Sequence, residues 1–302
     1  MSGCKKSLYT PKRILLSLTE RGCFNWMPDK LFLRLKYYLC VGKKLDLDHP
    51  HTFNEKLQWL KLYDRKAQYT HLVDKIEVKE YVSSVIGEEY VIPTLAVYND
   101  EDSIQLDSLP EKFVLKCNHD SRSIVICDDK QSFSFAAARK KLHDSLRRSG
   151  YQYGREWPYK NIPRRILAEA YLETETGDLP DYKIHCFNGV PRLILYCRNR
   201  FGEGGVAEDF FDENWTHLPI KRPTIPNSDQ AIPKPEKLEE MLELAKKLSK
   251  GIPFLRVDFY YVDKKIYFGE LTFFPASGFS KFVPEEWDEI FGDWLQLPDS
   301  SI

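Results

Sequence analysis

Phe254-Leu255-Arg256-Val257-Asp258-Phe259-Tyr260 and Ile266-Tyr267-Phe268-Gly269-Glu270-Leu271-Thr272 are two apolar runs broken by charge and separated by the short turn Val262 to Lys265. Arg256 and Asp258 lie two apart, as do Glu270 and Thr272, so each pair projects onto one face of its strand. Antiparallel pairing across the turn can bring all four side chains together. Asp258 opposite Glu270 offers two carboxylates that repel when bare and settle with magnesium between them, an ion that prefers oxygen ligands and substrate phosphates. Arg256 can then contact a transferring phosphoryl group. A solvent-exposed hairpin carrying an Arg–carboxylate pair has the same spacing, so the neighbouring segments must decide.

Upstream, Tyr182 to Phe187 reads as a strand with Lys183 and His185 on one face, the Asn188-Gly189 turn follows, and Pro191 to Cys197 completes a hairpin. Ile166 to Leu172 is a short apolar strand interrupted by Glu169, which either accepts a hydrogen bond from an amino-bearing base or ends in solvent. Lys112 to Cys117 delivers Lys116 into the polar tip Asn118-His119-Asp120-Ser121-Arg122-Ser123, and Ile124 to Cys127 returns, a hairpin suited to covering phosphates. Thr52 and Glu55 have capping-box spacing ahead of a helix of about three turns. Lys75 and Lys79 sit four apart at the start of a second helix that ends at Gly87, and they meet one anionic ligand or face solvent together. Residues 133–148 form a further helix, Pro235 and Glu236 open another to Lys250, and the Gly-, Pro- and Asp-rich stretch 202–235 reads as a surface excursion.

Charge balance excludes some functions. The 302 residues carry 44 Lys+Arg against 45 Asp+Glu with 42% hydrophobic residues, which argues for a globular fold and against a nucleic-acid protein with a general positive excess. Residues 1–45 differ, with ten Lys or Arg against Glu20 and Asp29. There Leu31, Phe32, Leu35, Tyr38 and Leu39 recur at helical spacing, which fits a helix packed on the body or one lying on an anionic membrane. The seven cysteines are scattered without a CxxC pair and read as reduced thiols, and no compact zinc set accompanies His119, His185 and Cys186. No run reaches the length of a membrane span and the N-terminus makes a poor signal peptide. The expected location is therefore the cytoplasm, with peripheral contact on the inner face of the membrane as the alternative.

Taken together, Phe53 to Leu60, Asp74-Lys75 with Lys79, Phe113 to His119, Ile166 to Leu172, Asp181 to Gly189, Arg256 to Phe259 and Gly269 to Pro275 resemble the ATP-grasp superfamily, in the branch similar to the teichuronopeptide biosynthesis protein TupA. The resemblance covers about residues 50–298. It implies an α+β fold with ATP between two α+β subdomains: a basic helical extension over 1–45, then a catalytic domain over 46–298. In that domain a nucleotide-covering part spans about 110–172 and a catalytic core about 180–298. Carried over residue by residue, it makes Asp258, Glu270 and Thr272 magnesium ligands and gives Arg256 and Lys183 catalytic roles. It assigns Lys75, Lys116, Lys183, Ser121 and Arg122 to nucleotide phosphates, Glu169 and Leu172 to an adenine hinge, and Glu173 to the ribose.

The implied reaction is ATP- and magnesium-dependent joining of a carboxylate to an amine through an acylphosphate, in surface polysaccharide or glycopeptide biosynthesis. The implied substrates are an acidic glycan or an amino acid and an amine, and the partners are surface-glycan biosynthesis proteins or anionic membrane, not nucleic acid. An ATP-dependent sugar kinase and a catalytically weakened nucleotide-binding assembly protein stand as alternatives. Two departures bear on them. The tip has His119-Asp120-Ser121-Arg122 where relatives place His-Gly-Ser-Gly, which restricts backbone approach and adds an acid near ATP. Thr272 stands where many relatives use Asn. The aromatic stretch Tyr151 to Tyr159 either stacks on sugars, with Arg155 pairing an acid, or packs in the core.

Overall fold

The computed structural model describes residues 10–174, 177–199 and 205–299. Five helices come first: α1 (Pro11–Glu20), α2 (Asp29–Cys40), α3 (Phe53–Tyr63), α4 (Gln68–Val73) and α5 (Val78–Ile86). The capping box at α3 forms as its spacing predicts: the Thr52 hydroxyl accepts from the Glu55 amide and the Glu55 carboxylate accepts from the Thr52 amide. That cap fixes the phase of α3, so Phe53, Leu57 and Leu60 enter the main core.

A small antiparallel sheet follows, built from β1 (Thr94–Tyr98), β2 (Phe113–Cys117), β3 (Val125–Cys127) and β4 (Ile166–Ala170) in the order β1-β4-β2-β3. It begins ahead of residue 110, the expected start of this part, because β1 pairs with β4. Leu142 of α6 (Phe135–Leu146) packs on Phe113, Leu115, Ile166 and Ala168 of this sheet. The short helix α7 (Gly150–Gly154) then leads into a turn at Trp157–Tyr159.

The large antiparallel sheet has the order β10-β9-β5-β6-β7-β8, from β5 (Asp181–Phe187), β6 (Val190–Arg198), β7 (Ala207–Phe211), β8 (His217–Leu218), β9 (Phe254–Val262) and β10 (Lys265–Thr272). One face carries Ile184, Cys186, Leu255 and Val257 against Leu238, Met241, Leu244 and Leu248 of α8 (Leu238–Leu248). The opposite face carries Lys183, His185, Arg256, Asp258 and Glu270, and α9 (Glu286–Trp294) places Phe291 against Phe53 and Phe187. The stretch 202–235 is not the surface excursion expected: from Ala207 it adds β7 and β8 to this sheet, while 202–204 lie outside the described residues. Glu208 and Asp209 disguised the strand. Both are buried, Glu208 against Arg222 (3.1 Å) and Asp209 with His217 Nε2 (3.1 Å) and the Ser228 amide (3.0 Å).

The N-terminal helices pack on the body. Phe32, Leu33 and Tyr37 join Leu45 and Leu47 in a separate apolar cluster against Trp59 and Phe279. The buried face is displaced from the one expected, since Leu31 and Tyr38 point outward and Lys36 goes in. Of the two readings of the aromatic stretch, packing holds at Arg155, which is buried and donates to the carbonyl oxygens of Phe24, Asn25 and Met27.

Candidate functional site

The site is set by a one-residue irregularity. β9 and β10 pair Phe259 with Phe268, then skip Gly269 and pair Asp258 with Glu270 and Arg256 with Thr272. In unbroken register Glu270 would lie opposite Val257 and project to the other face, so the bulge is what places both carboxylates on one side. A Cβ at Gly269 would meet the Asp258 carbonyl oxygen at 3.2 Å and the Tyr260 ring at 3.3 Å. Gly269→Val is expected to cost about 1–3 kcal/mol by overpacking. Thermal unfolding measures that loss, and an unchanged melting temperature counts against a tight bulge.

β5 supplies the next row, with Lys183 opposite Asp258 and His185 opposite Arg256. The Arg256 guanidinium donates from Nε to Asp258 Oδ1 (2.6 Å) and from its terminal nitrogen to Asp258 Oδ2 (2.7 Å) and Glu270 Oε1 (3.0 Å). Lys183 Nζ donates to Asp258 Oδ2 (2.6 Å) and lies 3.3 Å from Asp181. Lys75, from the turn before α5, reaches Glu270 Oε2 at 3.3 Å, and Thr272 Oγ1 donates to Glu270 Oε1 at 3.4 Å. Lys75, Lys183, Arg256, Asp258, Glu270 and Thr272 thus form one connected network. Burial pushes the Glu270 carboxyl up, but Lys75, Arg256 and Lys183 outweigh it and hold it well below the usual range. Burial likewise opposes charge on Lys183, and Asp258 and Asp181 outweigh it and raise its pKa. His185 is held neutral by burial and by Arg256 beside it, its Nδ1 against the Lys183 carbonyl (3.0 Å).

The remaining expected residues gather elsewhere. Glu169, on β4, is buried with one oxygen against Lys116 and the other 2.7 Å from Lys79. Burial would raise its pKa and these two lysines lower it. The carboxylate that the resemblance assigns to the adenine hinge thus pairs with two lysines and positions Lys116. Lys75 and Lys79 do not share a ligand: one serves the large sheet and the other the small one. Leu172 is half-buried just past β4, and Glu173 is exposed and paired with Lys112.

A model of the TupA-like ATP-grasp family matches residues 55–296. The chain belongs to the TupA-like ATP-grasp family. Its architecture is accordingly the α+β ATP-grasp fold with two subdomains and N-terminal helices. Among solved structures, the chain is similar to D-alanine–D-alanine ligase from Bacillus anthracis complexed with ATP (TM-score 0.41, 15% identity, 75% of this chain and 60% of that chain). It is also similar to D-alanine–D-alanine ligase from Helicobacter pylori (TM-score 0.41, 15% identity, 75% and 63%). A third is an ATP-grasp RimK domain protein from Sphaerobacter thermophilus (TM-score 0.40, 11% identity, 77% and 70%). The chain thus spans less than two thirds of the length of either D-alanine–D-alanine ligase. No curated protein matches the sequence.

In this TupA-like chain the glycine-free tip is a pinned turn. Asp120 does not face the site as a free acid, since its oxygens accept from the Ser123 and Ser145 hydroxyls. Asn118 is buried and donates to Asp74 Oδ2 (2.8 Å) and the Pro163 carbonyl (2.9 Å). Ser121 and Arg122 remain exposed, the Arg122 guanidinium 5.8 Å from the Tyr153 ring centroid.

Sequence reasoning missed a second buried group behind the network. Lys61 Nζ, from α3, donates to Gly154 O (2.7 Å), Ser277 O (2.8 Å), Ser277 Oγ (3.0 Å) and Gln58 Oε1 (3.0 Å). Glu156 hydrogen-bonds the same Ser277 hydroxyl. Gly154 is required by close approach, because a Cβ there would overlap Ser277 Oγ at 1.7 Å. Burial lowers the Lys61 pKa to about 7 and raises that of Glu156. Tyr159, two residues past Trp157, has its phenol pushed well up by burial, with Glu156 and Glu270 adding to the shift. Asp181 had a signal, its two-residue alternation with Lys183; Lys61, flanked by Leu60 and Leu62, had none.

Proposed function

We propose that the chain is an ATP- and magnesium-dependent ligase that joins a carboxylate to an amine through an acylphosphate. The observation that carries this reading is the pairing of Asp258 with Glu270 on one face, within reach of Arg256, Lys183 and Lys75. The donor set fits magnesium. Among the described residues no cluster of three or more His, Cys, Asp or Glu forms a closed metal cage. Two carboxylates beside a hydroxyl suit an ion that keeps waters and completes its shell with substrate phosphates. Asp258 and Glu270, with Thr272 beside them, would hold magnesium, which would supply positive charge that neutralises phosphate oxygens.

Lys75 and Lys183 bind phosphate oxygens in this reading, and Lys116, aimed by Glu169, contacts them from the small sheet. Leu172 and Glu173 border the base and ribose, and Ser121 and Arg122 cover the phosphates. Arg256 stabilises charge on the carboxylate oxygens as the γ-phosphoryl group arrives, then on the tetrahedral adduct as the amine attacks. Each of these buried cations rests on a carboxylate within the fold, so ATP binding exchanges protein anions for phosphate without leaving a bare buried charge. The acid substrate is an acidic glycan or an amino-acid carboxylate in surface polysaccharide or glycopeptide biosynthesis, a setting that rests on the resemblance to TupA.

Calorimetric titration with ATP, with and without magnesium, tests the site before either substrate is known. Wild type is expected to bind ATP in a magnesium-dependent manner, and Lys183→Ala to weaken binding by about tenfold to a hundredfold, the scale of a lost charged hydrogen bond. No binding by folded wild type would select a degenerate assembly protein or a nucleotide site completed only by a partner. Amide formation coupled to ADP and phosphate release then selects the ligase, and a stable phosphorylated sugar formed without an amine selects the kinase.

A further inference from the structure

The N-terminal helix pair buries one face of α2 and leaves a different one outward. Leu31, Arg34 and Tyr38 recur at i, i+3 and i+7, a stripe running along a helix of about 18 Å. Leu31 is 54% exposed and Tyr38 57%, and Trp26, in the turn that precedes α2, is 77% exposed. The Trp26 indole N–H already donates to the Cys23 carbonyl (3.1 Å), so its ring is free of that polar demand. Ile14 of α1 adds a further exposed aliphatic side chain.

The surround is cationic. Lys12, Arg13, Lys30 and Arg34 are all exposed, with Lys12 Nζ 5.6 Å from the Tyr38 ring centroid. Of the carboxylates on the two helices, Glu20 is exposed at the end of α1, while Asp29 is drawn inward by Arg65 (2.8 Å) and the Tyr151 hydroxyl. Beneath the patch, Arg155 grips three carbonyls of the turn that carries Trp26, and Lys36 donates to the Tyr153 carbonyl. The patch is thus held in fixed orientation to the segment that carries Glu156 and Tyr159.

We propose that this face docks the protein on an anionic lipid surface, with Trp26 and Leu31 in the headgroup layer and Lys12, Arg13, Lys30 and Arg34 over acidic headgroups. Aromatic and aliphatic side chains ringed by lysine and arginine match an interface that is apolar below and negative above. No helix among the described residues is long and apolar enough to cross a membrane, so the contact is with the surface. The inference does not depend on the ligase reading, because the patch and the carboxylate network share no residue.

Sedimentation of the full chain with vesicles of 30% phosphatidylglycerol in phosphatidylcholine, against phosphatidylcholine alone, tests it. Wild type is expected to partition onto the anionic vesicles and to be released by 0.5 M salt. Each basic residue near such a surface contributes about fivefold to partitioning, so Lys30→Glu with Arg34→Glu is expected to weaken binding by at least about twentyfold. Trp26→Ser is expected to lower it severalfold, and ATP binding by both variants should match wild type. Wild type that stays in the supernatant with anionic vesicles overturns the proposal and leaves the patch to a protein partner. Equal sedimentation of wild type and both variants overturns it too, by placing the lipid contact elsewhere.

Discussion

Asp258→Asn is expected to abolish the magnesium-dependent part of ATP binding and, once substrates are found, to lower turnover by about a thousandfold, the scale of losing a principal electrostatic group from a catalytic centre. A fall in stability should accompany it. Asp258 takes two hydrogen bonds from Arg256 and one from Lys183 and is itself buried. Asparagine keeps the shape but leaves two buried cations facing an amide, and breaking a buried ion pair on one side costs about 3–5 kcal/mol. For a chain of this size that corresponds to a drop of roughly 5–8 °C in melting temperature. Glu270→Gln should lose the magnesium dependence with a smaller stability cost, because Glu270 is more exposed and Arg256 retains both bonds to Asp258. Titration calorimetry and thermal unfolding on the two variants separate these effects. Magnesium-dependent ATP binding that survives in both would sink the assignment of this pair.

Much of this network was legible because strand alternation is strict. Charges at 256 and 258 on one run, and at 270 with a hydroxyl at 272 on the next, declare a shared face by spacing alone. The pairing of Asp258 with Glu270 was also expected, but the means was not: a two-residue turn in simple register gives the wrong face, and only the skipped Gly269 restores it. The two-residue hairpin at Asn188-Gly189 was readable for a local reason, since both residues adopt positive φ there. Reading failed where charge was internal. Glu208 and Asp209 made a buried strand look like loop, because their partners Arg222, His217 and Ser228 are distant along the chain. The phase of α2 failed for the same reason, since Lys36 enters the interior to reach a backbone carbonyl of α7. For Arg155 and Glu169 the sequence leaves a ligand and a structural role open, because their partners are distant along the chain; the fold gives Arg155 three backbone carbonyls and Glu169 two lysines.

Stability is expected to rise above pH 7 and to fall again above about pH 9, and the buried lysines dictate the sign of the rise. Burial depresses Lys61 from its ordinary 10.5 to about 7 and Lys36 to about 8. Above those values the folded chain holds fewer protons on these lysines than the unfolded chain does, up to 10.5, so raising the pH favours the folded state. Each contributes a slope of at most ~1.4 kcal/mol per pH unit within its window. Two sets of groups oppose the rise: Glu156, whose carboxyl burial pushes up, and the buried thiols. Burial raises Cys117 to about 11 and Cys186 and Cys197 to about 12, so above their ordinary value of 9.0 the unfolded chain loses protons first, and three thiols against two lysines turn the gain into a loss. The expected readout is a higher melting temperature at pH 8.5 than at pH 7. Lys61→Met should lower stability at every pH, since it leaves buried carbonyls without a donor, yet flatten the rise below pH 8. Lys36→Met, which strands only the Tyr153 carbonyl, should remove the part above pH 8 at smaller cost. A melting temperature that falls from pH 7 to 8.5 in wild type, or an undiminished slope in both variants, would show that these ammonium groups are not the ones that titrate.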